Sequence, residues 1–296
     1  NNNSPVYHDK SQKTREIIEH TYDNIQKQID NPFELQVIKN IDIDTIQSNT
    51  NINTIDSAFV SQSRFIEIGE NLVFNSGFEE YKRCPKSWID KPTKTLIPYW
   101  DVPTKGTPDY FNSCSRHKAG VPENFAGKIH AKIGNSYAGI ILRQNFTMDN
   151  RVTGEKPKIY REYIQTELKT ELEKGKSYRV KFWICNSSNS RYAVDAVGAV
   201  LSSEKIGNKT NELLYAVPTI ENDFGKFITN QNYWIAIEGI YTAKGGERYL
   251  TLGNFKNNFN TRYIMQNGKS DFNYAYYYID DVSVYKVYES AELSKQ

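Results

Sequence analysis

Tyr276-Tyr277-Tyr278-Ile279-Asp280-Asp281-Val282-Ser283-Val284 is the stretch whose reading decides the fold. An aromatic and β-branched run interrupted only by two carboxylates reads as a strand. It has a counterpart upstream, Asn71-Leu72-Val73-Phe74-Asn75-Ser76-Gly77-Phe78-Glu79-Glu80, which again sets carboxylates beside an apolar run. If the first and last strands of a β-sandwich pair, those carboxylates meet. Carboxylates brought together repel unless a cation joins them, and oxygen ligands favour a hard cation such as Ca²⁺.

Working outward from these two motifs, residues 63–289 keep a β-rich pattern. Candidate strands cover 64–68, 128–133, 138–143, 159–166, 178–185, 193–201, 234–241, 249–252 and 274–288. Gly134-Asn135, Gly175-Lys176, Gly245-Gly246 and Gly253-Asn254 punctuate them as turns. Strands at this spacing, without helices between them, predict an antiparallel sandwich rather than βαβ units. In Tyr160-Arg161-Glu162-Tyr163 the alternation puts Arg161 and Tyr163 on one face, read as exposed sheet surface.

Residues 1–62 differ in composition and form a polar N-terminal extension. A helix is expected from Ser11, with Ile17, Ile18, Tyr22 and Ile25 on one face and an end before Asn31-Pro32. Ile41-Asp42-Ile43-Asp44-Thr45-Ile46 then alternates as a short strand or an extended linker. The extension reads either as a tether or as a segment that docks on a partner or on the domain that follows. Residues 290–296 form a C-terminal tail.

The composition is 38% hydrophobic and 13% aromatic with 21 Tyr, a bias towards half-buried pleated surfaces. A net charge of +2 gives no reason to expect a nucleic acid or an anionic membrane as partner. No apolar run approaches the roughly 20 residues that span a bilayer. Cys84 and Cys114 flank a proline-rich loop region, and a disulfide between them would pin it; two free thiols are the alternative that spacing leaves open. Cys185, inside an apolar strand pattern, reads as a small buried hydrophobe.

Several stretches, taken in order and spacing, resemble a known family. They are the Asn-Leu-Val start with Phe78-Glu79, the Ala138-Gly139-Ile140 strand, Gly245 to Phe255, and the closing Tyr278 to Val284. Together they look like a carbohydrate-binding-module-type jelly roll of the galactose-binding-like superfamily. Phe78-Glu79-Glu80-Tyr81 with Cys84-Pro85, Thr107 to Cys114, Tyr160 to Gln165 and Gly253-Asn254-Phe255 more narrowly resemble a domain of Bacteroidota cell-envelope proteins, often joined to OmpA-like domains. The resemblance covers about residues 70–288. It implies an antiparallel jelly-roll β-sandwich and leaves residues 1 to about 60 unexplained; with them, the whole reads as a mainly β fold with a polar, partly helical N-terminal extension. It also implies a structural Ca²⁺ held by Glu79, by backbone carbonyls of the Lys132 to Asn135 turn, and by Asp280 or Asp281. Adjacent strand side chains point to opposite faces, so Asp280 is the first choice and Asp281 the second.

Sugar binding needs flat rings to stack on apolar sugar faces and polar groups to grip hydroxyls. Trp88, Trp100, Tyr110 and Tyr192 are the candidate rings, with Asp109, Asn112 and Arg191 among the polar partners. In a β-sandwich such rings are more often core than platform; Trp183 and Trp234, in strand patterns, read as core. No nucleophile elbow, zinc motif, phosphate loop or Cys-x-x-Cys is present, and His8, His20, His117 and His130 lack metal-ligand spacing. Glu162, Glu221 and Asp195 have no setting that suggests glycosidase acids. The expectation is a non-catalytic protein, secreted across the inner membrane to the periplasm or cell surface. Its partner would be a glycan or, alternatively, a protein of an envelope assembly.

Overall fold

The computed structural model describes residues 65–86, 96–116, 118–144, 159–266 and 273–289. The helix expected from Ser11, the 41–46 segment, Trp88, His117 and the 290–296 tail lie outside the described residues. Those described form strands and no helix. In chain order they are β1 (Phe65–Ile68), β2 (Trp100–Asp101), β3 (Asp109–Asn112), β4 (Glu123–Asn124), β5 (Gly127–Lys128), β6 (Ser136–Gln144), β7 (Ile164–Glu167), β8 (Ser177–Asn186), β9 (Tyr192–Val194), β10 (Gly198–Ser202), β11 (Ile220–Glu221), β12 (Ile235–Thr242), β13 (Tyr249–Gly253), β14 (Tyr263–Met265) and β15 (Tyr274–Glu289).

The strands form an antiparallel jelly-roll sandwich. One sheet runs β12-β8-β15-β6-β3 and the other β11-β10-β13-β7-β2, with small ribbons β14-β9 and β4-β5 beside them. From β6 onward the chain repeatedly changes sheet, so sequence neighbours face each other across the core. Two compact units divide the chain. Asn71–Tyr285 holds both sheets, and the described part of the other is the pairing of β1 with Lys286–Glu289 of β15.

The core follows from alternation. In β8, Tyr178, Val180, Phe182 and Ile184 point inward, and in β15 Ala275, Tyr277 and Ile279 do the same. Burying each such side chain contributes roughly 1.5–3 kcal/mol. The outer faces are covered too. Tyr137, Tyr276, Tyr278 and Phe111 pack under Ala119, Ala126 and Ile129. Tyr163 and Val200 pack under Leu214 and Ile206 on the other sheet. A strand covered on both faces loses its polar alternation, which is why Tyr276, Tyr277 and Tyr278 are all buried.

The second cover corrects one expectation. Arg161 and Tyr163 are fully buried rather than surface residues. The Tyr163 hydroxyl donates to Asn254 O at 2.7 Å, and Arg161 donates to Tyr160 O, Lys256 O and Asn258 Oδ1. The expected strand 193–201 is divided into β9 and β10, because Asp195 between them turns inward and accepts from the backbone N–H groups of Arg262 and Gly225. Of the expected strand 128–133 only Lys128 is extended, in β5; the chain then turns to meet Asp280.

Candidate functional site

The two opening motifs do meet. Asn71 Nδ2 donates to Val282 O at 3.0 Å, its Oδ1 accepts from Val284 N at 3.0 Å, and Leu72 N donates to Val284 O at 2.9 Å. Asp281, at φ 46°, breaks the alternation of β15, so Ile279 and Val282 both face the core while Asp280 is sealed and Asp281 stays half-exposed. The turn at residues 132–136 then serves both carboxylates. Asp280 Oδ2 accepts from Lys132 N at 2.7 Å and Ile133 N at 3.2 Å, and Oδ1 from Asp281 N at 2.7 Å. Glu79 Oε1 accepts from Asn135 N at 2.9 Å, Ser136 N at 3.0 Å and Ser136 Oγ at 2.6 Å. Gly134 makes room for this: at φ +61° it has no Cβ, and one would lie 2.4 Å from Glu79 Cδ.

These donors decide the fit of a cation. A Ca²⁺ site needs oxygen atoms facing inward. Here the turn offers N–H groups, while the Asn135 carbonyl accepts from Ser113 N and the Gly77 carbonyl from Ser136 Oγ. Lys132 places its ammonium over the Trp183 ring at 4.0 Å. Among the described residues no group of three His, Cys, Asp or Glu side chains is arranged to hold a metal. Glu79, Lys132, Asn135, Asp280 and Asp281 thus do not by themselves fit an oxygen cage; they fit two carboxylates capped by amides. Burial pushes the Asp280 carboxyl up to about 8 against the pull of those three N–H donors.

Most of the expected sugar contacts belong to the scaffold. Trp100 is fully buried, stacks near Phe78 at 4.8 Å and donates Nε1–H to Asn75 O at 3.0 Å. Tyr110 is equally buried and donates to Phe78 O at 3.0 Å. Asn112 donates to the Tyr110 oxygen and accepts from Cys114 N, and Asp109 accepts from the Tyr276 hydroxyl at 2.5 Å. Burial leaves these rings no face for a sugar. Trp183 lies on the outer face of its sheet under Lys132, not in the core, and Trp234 is half-buried against Tyr137. Cys84 and Cys114 form the disulfide, with Cα atoms 5.9 Å apart. Cys185 is a buried thiol, and burial pushes it up to about 12, far from a nucleophile's range.

Arg191 and Tyr192 end elsewhere, at one end of the sandwich. Tyr192 donates to Asn273 Oδ1 at 3.0 Å, and Arg191 lies 6.0 Å from the Tyr192 ring. Tyr263, on the paired strand β14, meets Tyr192 edge-on at 5.2 Å and is 44% exposed. Ile264 and Met265 continue the exposed ribbon. Under Tyr263, 4.0 Å from its ring centroid, sits the guanidinium of Arg143. Burial lowers the Arg143 pKa, and the nearby Tyr263 and Tyr192 work against that shift. Sequence reasoning missed Arg143, Tyr263 and Asn273. They lie far apart along the chain, and β14 is too short to show a period.

Other polar groups are occupied. Glu162 is buried, which raises its carboxyl pKa, and it accepts from Ile141 N, Thr107 N, Thr107 Oγ1 and Tyr160 OH. Asp195 pairs with Arg262 at 3.1 Å and Glu221 with Lys256 at 3.0 Å. A cavity of about 170 Å³ lies beside the stacked Phe74 and Tyr99, but its Arg248 and Glu167 are paired with each other at 2.8 Å.

No family model matches the chain, and no curated protein matches it. Among solved structures it is similar to the xylan-binding CBM22-1 domain of Xyn10C from Paenibacillus barcinonensis, at 11% identity and TM-score 0.32 over 68% of this chain and 91% of that one. It is similar to TmCBM61, solved with β-1,4-galactotriose, at 12% identity and TM-score 0.31 over 74% and 99%. The K1 cleaved adhesin domain of Lys-gingipain from Porphyromonas gingivalis W83 gives 14% identity and TM-score 0.32 over 64% and 90%. At these scores the likeness is a loose one of strand layout.

Proposed function

We propose that the protein is a non-catalytic glycan-binding sandwich whose ligand lands on the Tyr192–Tyr263 end. The observation that carries this reading is the half-exposed Tyr263 ring, set edge-on to Tyr192, which in turn meets Arg191 and Asn273. An exposed ring held rigidly by a second ring offers a flat apolar face, and the amide and guanidinium beside it suit hydroxyl groups. The occupied carboxylates Glu162, Asp195 and Glu221 support binding without hydrolysis. The Cys84–Cys114 disulfide supports an oxidising compartment, in keeping with a periplasmic or cell-surface location.

Retention on a panel of insoluble polysaccharides tests the reading. Wild type should be retained by at least one of them, and Tyr263→Ala should lose at least tenfold in affinity. No retention on any polysaccharide would sink it.

A second reading, an interaction subunit of an envelope assembly, draws on a different surface. Tyr215, Val217 and Phe224 are strongly exposed apolar residues on one stretch of chain. Pull-down from envelope extracts with and without residues 1–60 tests whether the extension takes part; unchanged recovery of a partner would exclude it.

A further inference from the structure

Arg143 is the least satisfied charge in the described molecule. It lies at the end of β6, where the register against β15 slips: Ile141 faces Tyr276, but Arg143 faces Ala275. The extra residue, Leu142, is a bulge, and a bulge re-aims the side chains that follow it. Cross-strand partners share a face, and Ala275 belongs to the inter-sheet core, so Arg143 starts from the core-facing side where β6 ends. It keeps only 7% of its surface. Its Nε and Nη1 are buried without a hydrogen-bond partner, and no carboxylate among the described residues pairs with it. Tyr263 stacks on the flat face of the guanidinium, which accepts the charge of the cation but none of its N–H groups. Arg161 shows the contrast: more deeply buried and with only its Nε unpartnered, it donates to two carbonyls and an amide oxygen.

A buried cation with N–H groups left unpaired is costly, and a partner arriving from outside would remove that cost. A planar guanidinium with unpaired N–H groups along its edge matches a carboxylate, which takes parallel charge-assisted hydrogen bonds that a hydroxyl matches only weakly. We infer that Arg143 receives the carboxylate of an acidic sugar unit, so that the glycan bound at the Tyr192–Tyr263 end is a uronate-bearing chain. This rests on the glycan reading above and adds the class of sugar. The carboxylate enters beside Tyr263, and a neighbouring unit packs on the exposed part of that ring.

The test compares matched polymers by titration calorimetry on the full chain. Polygalacturonate and alginate are each used as such and after reduction of their carboxylates to primary alcohols, with dextran sulfate as a polyanion lacking carboxylates. The expected result is binding of at least one acidic polymer, at least tenfold loss on carboxyl reduction, and weak binding of dextran sulfate. Arg143→Gln should bind the acidic and reduced forms alike, with the equally neutral Arg143→Met in its place if the Gln variant does not fold. The wild-type comparison stands without either variant. Equal binding of acidic and reduced forms would overturn the carboxylate assignment and leave glycan binding intact. Equal binding of dextran sulfate would overturn it in favour of general surface charge. No binding of these polymers, together with failure on every polysaccharide of the panel above, would overturn the glycan reading itself.

Discussion

Asp280 shows how one residue can be essential to a junction and still be under tension. It is sealed from solvent and held by three amide N–H groups, yet burial keeps its carboxyl pKa near 8, above the ordinary 3.8. With the folded value raised, the group's contribution to stability is full below about pH 4 and is lost as the pH climbs towards 8. Asp280→Asn removes the titration. The urea midpoint of wild type should therefore fall relative to the variant between pH 5 and pH 8, by roughly 2–5 kcal/mol in stability. A gap that stays constant across that range would show Asp280 ionised throughout. Trp100 and Tyr110 illustrate the converse at the same scale: side chains suited by chemistry to sugars are committed to the core by position.

At the scale of elements, the long segment between β2 and β4 is tied rather than woven. β3 is its one strand in sheet contact, and the Cys84–Cys114 bridge, which starts ahead of β2, closes a loop of 30 residues that takes in both β2 and β3. Loop-closure entropy puts the contribution of such a bridge at about 3–4 kcal/mol. Reduction, or Cys84→Ser with Cys114→Ser, should lower the denaturation midpoint by that order; an unchanged midpoint would mean the segment is held by its packing alone. The long strands β6, β8, β12, β13 and β15 were legible in the sequence, because an apolar, aromatic or β-branched run over five or more residues, alternating in β8, is a local signal. β2, β11 and β14 were not. At two or three residues they carry no period and exist because a neighbouring strand offers hydrogen bonds.

At the scale of the whole molecule, the chain's two end motifs close the sandwich through the 132–136 turn. Four backbone amides of that turn, with Asp281 N as a fifth, donate to the two carboxylates. A chelator should accordingly leave the melting temperature unchanged. A drop on adding EDTA, reversed by Ca²⁺, would show that a cation bound only by the folded state shares the junction. The sequence by itself determined the fold class and the long strands, which rest on composition and patterning within one element. The meeting of Asn71–Glu80 with Tyr276–Val284 followed only if the first and last strands paired. The tertiary structure alone decided that both sheets are covered on their outer faces, which buries Tyr137, Tyr276 and Tyr278 on one sheet and Tyr163 on the other, and that Trp100 and Tyr110 lie in the core between them. It alone brought Arg143 beneath Tyr263, 120 residues further on. Burial on a second face and pairing across such a distance depend on what folds back over a strand, and no local pattern records that.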